Sequence, residues 1–156
     1  MAQDKNKIVL LEIEHLVDIN DMICQKSKER KEIVYSGNDV YPVQFRKLRA
    51  LIENTPKEDI LTIATYYLSN IILLQPFPDG NHRTALASVE LFLDKNGYDF
   101  HYSVEDAVKL QKDAYNIRLK VYGHYDQHDI SILTKPEDDF TKLCKSFLRD
   151  RLTKRN

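Results

Sequence analysis

The sequence predicts one all-α domain over residues 1–156, a helical bundle around a central helix with a small β-hairpin flap at its side. Two observations predict this fold class. Apolar residues recur at intervals of three and four over most of the chain, which is the spacing of amphipathic helices. The 156 residues also include only 4 Gly and 5 Pro, and a chain of this length is typical of one domain with its own core.

Composition and charge exclude several classes of protein. Hydrophobic residues make up 42% of the chain and charged residues 30%, so it is neither disordered nor collagen-like. The 23 Lys and Arg against 24 Asp and Glu give a net charge of -1, which lacks the positive field of a dedicated nucleic-acid-binding protein. We therefore expect no nucleic acid among its partners.

The cysteines and the N-terminal sequence predict a cytoplasmic protein. Cys24 and Cys144 lie far apart, each within an apolar helical pattern, so we expect two buried, reduced thiols. The first residues contain an apolar run of about four residues, too short for a signal peptide and far below the roughly 20 that cross a bilayer. We expect no contact with a membrane.

Three elements are predicted before the central helix. An apolar face with a 3.6-residue period predicts a first helix over residues 9–29. Two short β-prone runs around a turn predict a small hairpin or ordered loop over residues 33–41. Pro42 can open a short helix that ends near Asn54.

The central helix has the clearest predicted start. Thr55 offers a capping hydroxyl, Pro56 suits the first helical position, and Glu58 lies three residues after the cap, as in a capping box. The apolar residues that follow, up to Leu74, are dense enough to predict a mostly buried helix. The two prolines that come next should end it.

Three more helices are predicted after this point. The first begins around Gly80 or Asn81 and runs to Lys95, with Gly97 as its left-handed cap. Ser103 is expected to cap the second.

The last helix is expected to begin at Pro136, with acidic residues in its first turn. Its apolar face includes Cys144, and its end carries the basic residues Arg149, Arg151, Lys154 and Arg155. These cations could contact nucleic acid, but a frayed, basic helix end explains them as well.

Residues suited to chemistry are concentrated in the loop over residues 75–84. A helix N-terminus exposes unpaired N–H groups, Gly80 lets that backbone approach a ligand closely, and Arg83 adds a bidentate fork for phosphate. Asp79 is a hard oxygen ligand suited to Mg²⁺, and Asn81 can hold the loop or contact phosphate oxygens. A plain capping loop, with Asp79 or Asn81 as cap and Arg83 as a surface charge, explains the spacing equally well.

The run QPFPDGNHRTALASVELFLDKNGY resembles the signature of the Fic/Doc (Fido) family, His-x-Phe-x-Asp/Glu-Gly/Ala-Asn-x-Arg. The signature positions that agree are Phe77, Asp79, Gly80, Asn81 and Arg83. The Arg-Thr-Ala-Leu continuation and the closing Asn-Gly are most similar to the Doc (death-on-curing) branch.

This resemblance implies an all-α core that transfers AMP or phosphate from ATP to a hydroxyl of a target protein, with ATP and Mg²⁺ as cofactors. It implies that Asp79 holds Mg²⁺, that Phe77 anchors the loop in the core, that Gly80 and Asn81 line an anion hole, and that Arg83 binds the phosphates. It also implies an antitoxin-like inhibitor, a separate partner, because we find no convincing built-in Ser/Thr-x-x-x-Glu-Gly/Asn inhibitory motif.

Gln75 departs from the signature at the position of the histidine that takes the proton from the attacking hydroxyl. An amide can orient a hydroxyl but has no usable basicity near neutral pH. The departure predicts an attenuated transferase or, alternatively, a catalytically inactive module that binds nucleotide or protein. Leu86 departs where many AMP-transferring relatives carry another arginine, which is a Doc-like feature.

His82 stands at the variable position of the signature. It could place an imidazole beside the phosphates or act as a displaced base, but an exposed polar residue at the helix start is the favoured interpretation.

Two further features leave alternatives open. Tyr35, Val40 and Tyr41 in the predicted hairpin could align a target segment by strand addition, or could merely cover the core. His124 and His128 have a spacing that could suggest a metal site, but a polar connection is favoured because a third convincing ligand is missing.

Overall fold

The fold was analysed in a computed structural model that describes residues 7–31 and 42–156. Within these ranges it consists of six α-helices, a 3-10 helix and a two-stranded sheet, which confirms the all-α fold class. The predicted hairpin over residues 33–41, with Tyr35, Val40 and Tyr41, lies outside the described residues. In chain order the elements are α1 (Ile13–Lys31), α2 (Phe45–Glu53), α3 (Ile60–Leu74), α4 (Asn81–Lys95), β1 (Tyr98–Phe100), α5 (Val104–Tyr122), the 3-10 helix (Ile130–Thr134), α6 (Asp139–Arg149) and β2 (Leu152–Lys154).

α3 is the central helix of the bundle, as predicted. Most of its residues are buried, and it packs mainly against α4 and α6. Tyr67 of α3 is fully buried, where its ring meets Phe92 edge to face at 5.2 Å and its hydroxyl accepts a hydrogen bond from the Leu11 backbone at 3.2 Å. This packing fixes the end of α3 and the start of α4. The loop between them, residues 75–80, carries most of the signature and is called the motif loop below.

The predicted start of α3 was wrong by several residues. The N-cap is Asp59, whose carboxylate accepts from the Thr62 backbone N–H at 2.9 Å. The Thr55 hydroxyl instead donates to the carbonyl of Ile52 at 2.9 Å and so satisfies the end of α2. The prediction did not consider Asp59, whose carboxylate is the cap that the backbone uses.

Other predicted helix bounds also shift. α1 begins at Ile13 rather than residue 9, because the backbone of Val9 is paired with the side chain of Asn96 at 2.7 and 2.9 Å. α6 begins at Asp139 with Asp138 as its cap, three residues after the predicted start at Pro136.

The helices on either side of β1 follow the prediction closely. α4 begins at Asn81 and ends at Lys95, and Gly97 has a φ of 84°. Ser103 caps α5 in a full capping box with Asp106.

α6 ends at Arg149, so the prediction that Arg151, Lys154 and Arg155 also belong to the last helix was wrong. Leu152–Lys154 form β2, which pairs antiparallel with β1. Arg155 donates to the carboxylates of Asp94 and Asp99 at 3.0 and 2.7 Å, which ties the end of the chain to α4 and β1. Pairing across more than fifty residues leaves no local sequence pattern, and this is why it was missed.

Cys144 is buried, as predicted, whereas Cys24 is only partly buried. Among the helices that the structure describes, none has both the length and the apolar character needed to cross a membrane.

Candidate functional site

The motif loop leaves α3 through a left-handed residue. Gln75 has φ 45° and ψ 60°, a conformation that residues other than glycine rarely adopt. Directly after it Pro76 is buried, and Phe77 is fully buried in the core. The loop is therefore anchored at the end of α3 and by the Phe77 ring, and it returns to the surface after Phe77, at Asp79.

Asn81 holds the loop closed with its side-chain amide. Its Oδ1 accepts from the Phe77 N–H at 3.1 Å, and its Nδ2 donates to the Phe77 carbonyl at 2.8 Å. Of the two roles that the sequence left open for Asn81, the structure shows the supporting one.

Asn20 is a supporting residue that sequence reasoning missed. It lies in α1, is 4% exposed, and donates from Nδ2 to the Asp79 carbonyl at 2.8 Å and to the Thr84 hydroxyl at 3.0 Å. A signal was present in the sequence, because Asn20 falls on the apolar face of the first helix, where an asparagine needs hydrogen-bond partners.

Gly80 is the N-cap of α4 and has a φ of 74°. A Cβ at this position would meet Asn20 and Ile23 at 3.5 Å, which is ordinary contact, so the positive φ is the reason for glycine here. As a glycine, it offers no side chain to cap the first turn of α4. The neighbouring Asp79 carboxylate is exposed and accepts from the Gly80 N–H at 2.8 Å.

A cavity of about 560 Å³ lies in front of this loop. Every predicted site residue except the buried Phe77 lines it. Its other wall comes from α5 and the segment after α5, which sequence reasoning did not connect with the motif. The lining residues are Gln75, Pro78, Asp79, Gly80, Asn81, His82, Arg83, Gln111, Tyr115, Arg118 and Tyr125.

His82 is half-buried in this cavity wall. The interpretation that we favoured from the sequence, an exposed residue, was therefore wrong. Burial, and secondarily the positive charge of Arg118, lower the pKa of His82 to about 4. The imidazole is therefore neutral at pH 7 and is a weak base. Arg83, one residue later, is exposed at the cavity rim.

Gln75 is held by the segment that follows α5. Its Nε2 donates to the Tyr125 carbonyl at 3.1 Å. The same carbonyl accepts from Nη2 of Arg118 at 2.7 Å. The Tyr125 ring lies 4.5 Å from that of Tyr115, which places both aromatic rings beside the cavity.

This segment is in turn attached to the end of α3. The His128 N–H donates to the Leu73 carbonyl at 2.8 Å. Lys47 of α2 is buried and donates to the Leu74 carbonyl at 2.6 Å and to the side chain of Gln127 at 2.7 Å. Burial lowers the pKa of Lys47. The C-terminal carbonyls of α3 are thus satisfied by other elements.

The two histidines of this segment contact each other. The rings of His124 and His128 are 4.9 Å apart. Within residues 7–31 and 42–156, no three His, Cys, Asp or Glu side chains are close enough to hold a metal ion.

A second cavity, of about 880 Å³, continues from the first along α4 and α5 and shares His82, Arg83 and Gln111 with it. Leu86 is buried at its wall.

Comparison with known proteins adds one finding. A model described as Fic/DOC family matches residues 10–93, which is more than half of the chain. The match extends from the start of α1 almost to the end of α4, so it includes the motif loop and Asn20. No curated protein and no solved structure matches the chain significantly.

Proposed function

Because the chain belongs to the Fic/DOC family, we propose that it is a transferase that moves AMP or phosphate from ATP to a hydroxyl of a target protein. The observation that carries the proposal is the cavity of about 560 Å³, in which Gln75 and the motif residues Asp79 to Arg83 lie together. The Arg-Thr-Ala-Leu continuation after the motif favours the Doc branch.

Phosphate binding is assigned to the start of α4. Its first N–H groups, which follow the N-cap Gly80, form the partial positive end of the helix, and Arg83 at the rim supplies a bidentate fork. The Asn81 amide acts indirectly in this proposal, because its bonds to Phe77 keep those N–H groups in place.

Asp79 fits a Mg²⁺ ion that is shared with nucleotide phosphates. Its carboxylate is exposed at the cavity, and Mg²⁺ is usually held by one or two carboxylates together with phosphate oxygens and water. When bound, such an ion neutralises charge on the transferred group.

Attenuated activity follows from Gln75. Its amide cannot accept the proton of the attacking hydroxyl, and loss of a general base costs on the order of 10²- to 10⁴-fold in rate. The structure adds that this amide already donates to the Tyr125 carbonyl, so its Nε2 holds the loop. Transfer from ATP relies largely on positioning and charge neutralisation, so a slow reaction is still compatible with this site.

The same contact favours a second candidate, a binding module without turnover. In that case the cavity holds nucleotide or a protein segment, and an antitoxin-like partner covers the groove. The family suggests both protein targets and such partners.

Calorimetry of ATP binding with and without Mg²⁺ tests the proposal. We expect Mg²⁺-dependent binding that is lost in Asp79→Ala and Arg83→Ala. Asp113→Ala and Arg46→Ala are matched controls, since both residues make surface ion pairs away from the cavity and should bind as the wild type does. Absence of ATP binding by the wild-type chain would contradict the transferase and leave the protein-binding module.

A further inference from the structure

Arg118 is a buried arginine that forms no ion pair with any carboxylate of the described residues. It lies on α5 and is 4% exposed. Among the described residues, its hydrogen bonds both come from Nη2 and go to backbone carbonyls, Tyr125 at 2.7 Å and Asp126 at 3.5 Å. Its Nε has no acceptor among the described residues, and none of their carboxylates lies within ion-pair distance of the guanidinium.

Such an arrangement is costly in a folded protein. A guanidinium stays charged at neutral pH and carries five N–H donors, and a buried cation normally has an anionic partner. Burial lowers the pKa of Arg118, and the negative charge of the Asp126 carboxylate offsets this only in part. The carbonyl contacts supply only partial compensation, because a carbonyl is a dipole and not an anion.

Arg118 also lines the cavity that holds the motif, on the wall opposite α4. Its charge reaches the motif side, since it contributes to the low pKa of His82. A ligand in the cavity would therefore lie between the N-terminus of α4, with Arg83 at the rim, and Arg118 on α5.

We infer that Arg118 binds a phosphate group from the α5 side, as a second phosphate-binding arginine opposite the α4 N-terminus. The inference rests on the proposed function, which makes a nucleotide the source of that phosphate. Free pyrophosphate offers the same phosphate chemistry without the nucleoside. The bound anion supplies a negative charge at ion-pair distance, which no carboxylate of the described residues does. Charge-assisted hydrogen bonds of this kind correspond to about 10- to 100-fold in affinity.

The test measures pyrophosphate and ATP–Mg²⁺ binding by calorimetry for the wild type, Arg118→Gln and Arg118→Lys, with Arg46→Gln as an exposed control. We expect Arg118→Gln to bind both probes about 10- to 100-fold more weakly, Arg118→Lys to retain part of the affinity, and Arg46→Gln to match the wild type. Wild-type affinity in Arg118→Gln overturns the inference.

Thermal unfolding without ligand separates binding from a purely structural role. Removal of a buried charge that forms no ion pair among the described residues should leave the midpoint of Arg118→Gln unchanged or higher, whereas an arginine that mainly holds the Tyr125 carbonyl would lower it. If that variant does not fold, the NMR resonance of the Arg118 Nε–H group is followed in the wild type instead. A shift with saturating pyrophosphate supports the inference, and an unchanged resonance overturns it.

The two probes distinguish failure of this inference from failure of the proposed function. ATP–Mg²⁺ binding that is insensitive to Arg118 refutes the inference and leaves the transferase proposal intact. Arg118-dependent binding of pyrophosphate without any ATP binding supports the anion site and contradicts transfer from ATP. Binding of neither probe by the wild type contradicts both.

Discussion

Asn20→Ala should loosen the motif loop at the point where α1 supports it. The substitution removes two hydrogen bonds, to the Asp79 carbonyl at 2.8 Å and to the Thr84 hydroxyl at 3.0 Å. Each neutral bond contributes about 1 kcal/mol, and a buried acceptor that loses its donor adds a further penalty. Because Thr84 is fully buried, we expect the free energy of unfolding to fall by about 2 to 3 kcal/mol.

Thermal unfolding followed by circular dichroism measures this loss. A chain of this size changes its midpoint by about 2 to 4 °C per kcal/mol, so the expected decrease is about 4 to 12 °C. Asn54→Ala is the matched control, because the Asn54 amide makes one exposed bond to the Ala50 carbonyl at 2.8 Å. The free energy of unfolding of Asn54→Ala should fall by less than about 1 kcal/mol. Equal destabilisation by the two variants would refute the argument that Asn20 supports the loop.

Three other substitutions test different parts of the site. Gln75→His should raise the transfer rate on a protein target by about 10²- to 10⁴-fold, measured with radiolabelled ATP. If the variant binds ATP but transfers nothing, the residue at position 75 is not what limits the reaction. Because the pKa of His82 is about 4 when folded and 6.5 otherwise, the unfolded state binds more protons between these values. Stability should therefore fall as pH drops from 6.5 to 4, by about 2 to 3 kcal/mol, and His82→Gln should flatten that part of the urea-denaturation profile. Lys47→Met should lower the free energy of unfolding by about 2 kcal/mol, since the Leu74 carbonyl and the Gln127 side chain lose their donor, and an unchanged urea midpoint would contradict that assignment.

Local signals in the sequence were sufficient for the α4 side of the site. The prolines after Leu74, the glycine at position 80 and the motif spacing placed the end of α3 and the start of α4 to within one residue. Each of these signals acts on the backbone of its own segment, through a fixed φ, a missing N–H or a tolerated positive φ. The Ser103 capping box was predictable for the same reason.

The α5 side of the site could not be placed in this way. Arg118 and Tyr125 meet the motif only because α5 packs back across the bundle, and no spacing within the chain encodes that contact. A partial signal existed, since Arg118 follows Ala114 by four residues and Leu110 by eight, on the face of α5 that is buried. An arginine on such a face indicates a specific partner but does not identify it.

The Tyr125 carbonyl bears on what a histidine at position 75 would meet. This oxygen already accepts from the side chain at position 75, and a backbone acceptor of that kind is what fixes the tautomer of an imidazole, leaving the other ring nitrogen free to take a proton. A histidine placed there would meet its orienting group in position, without any change elsewhere in the loop. Glutamine and histidine codons differ by one base, so under the proposed function a single point mutation would give position 75 an imidazole beside an acceptor that orients it.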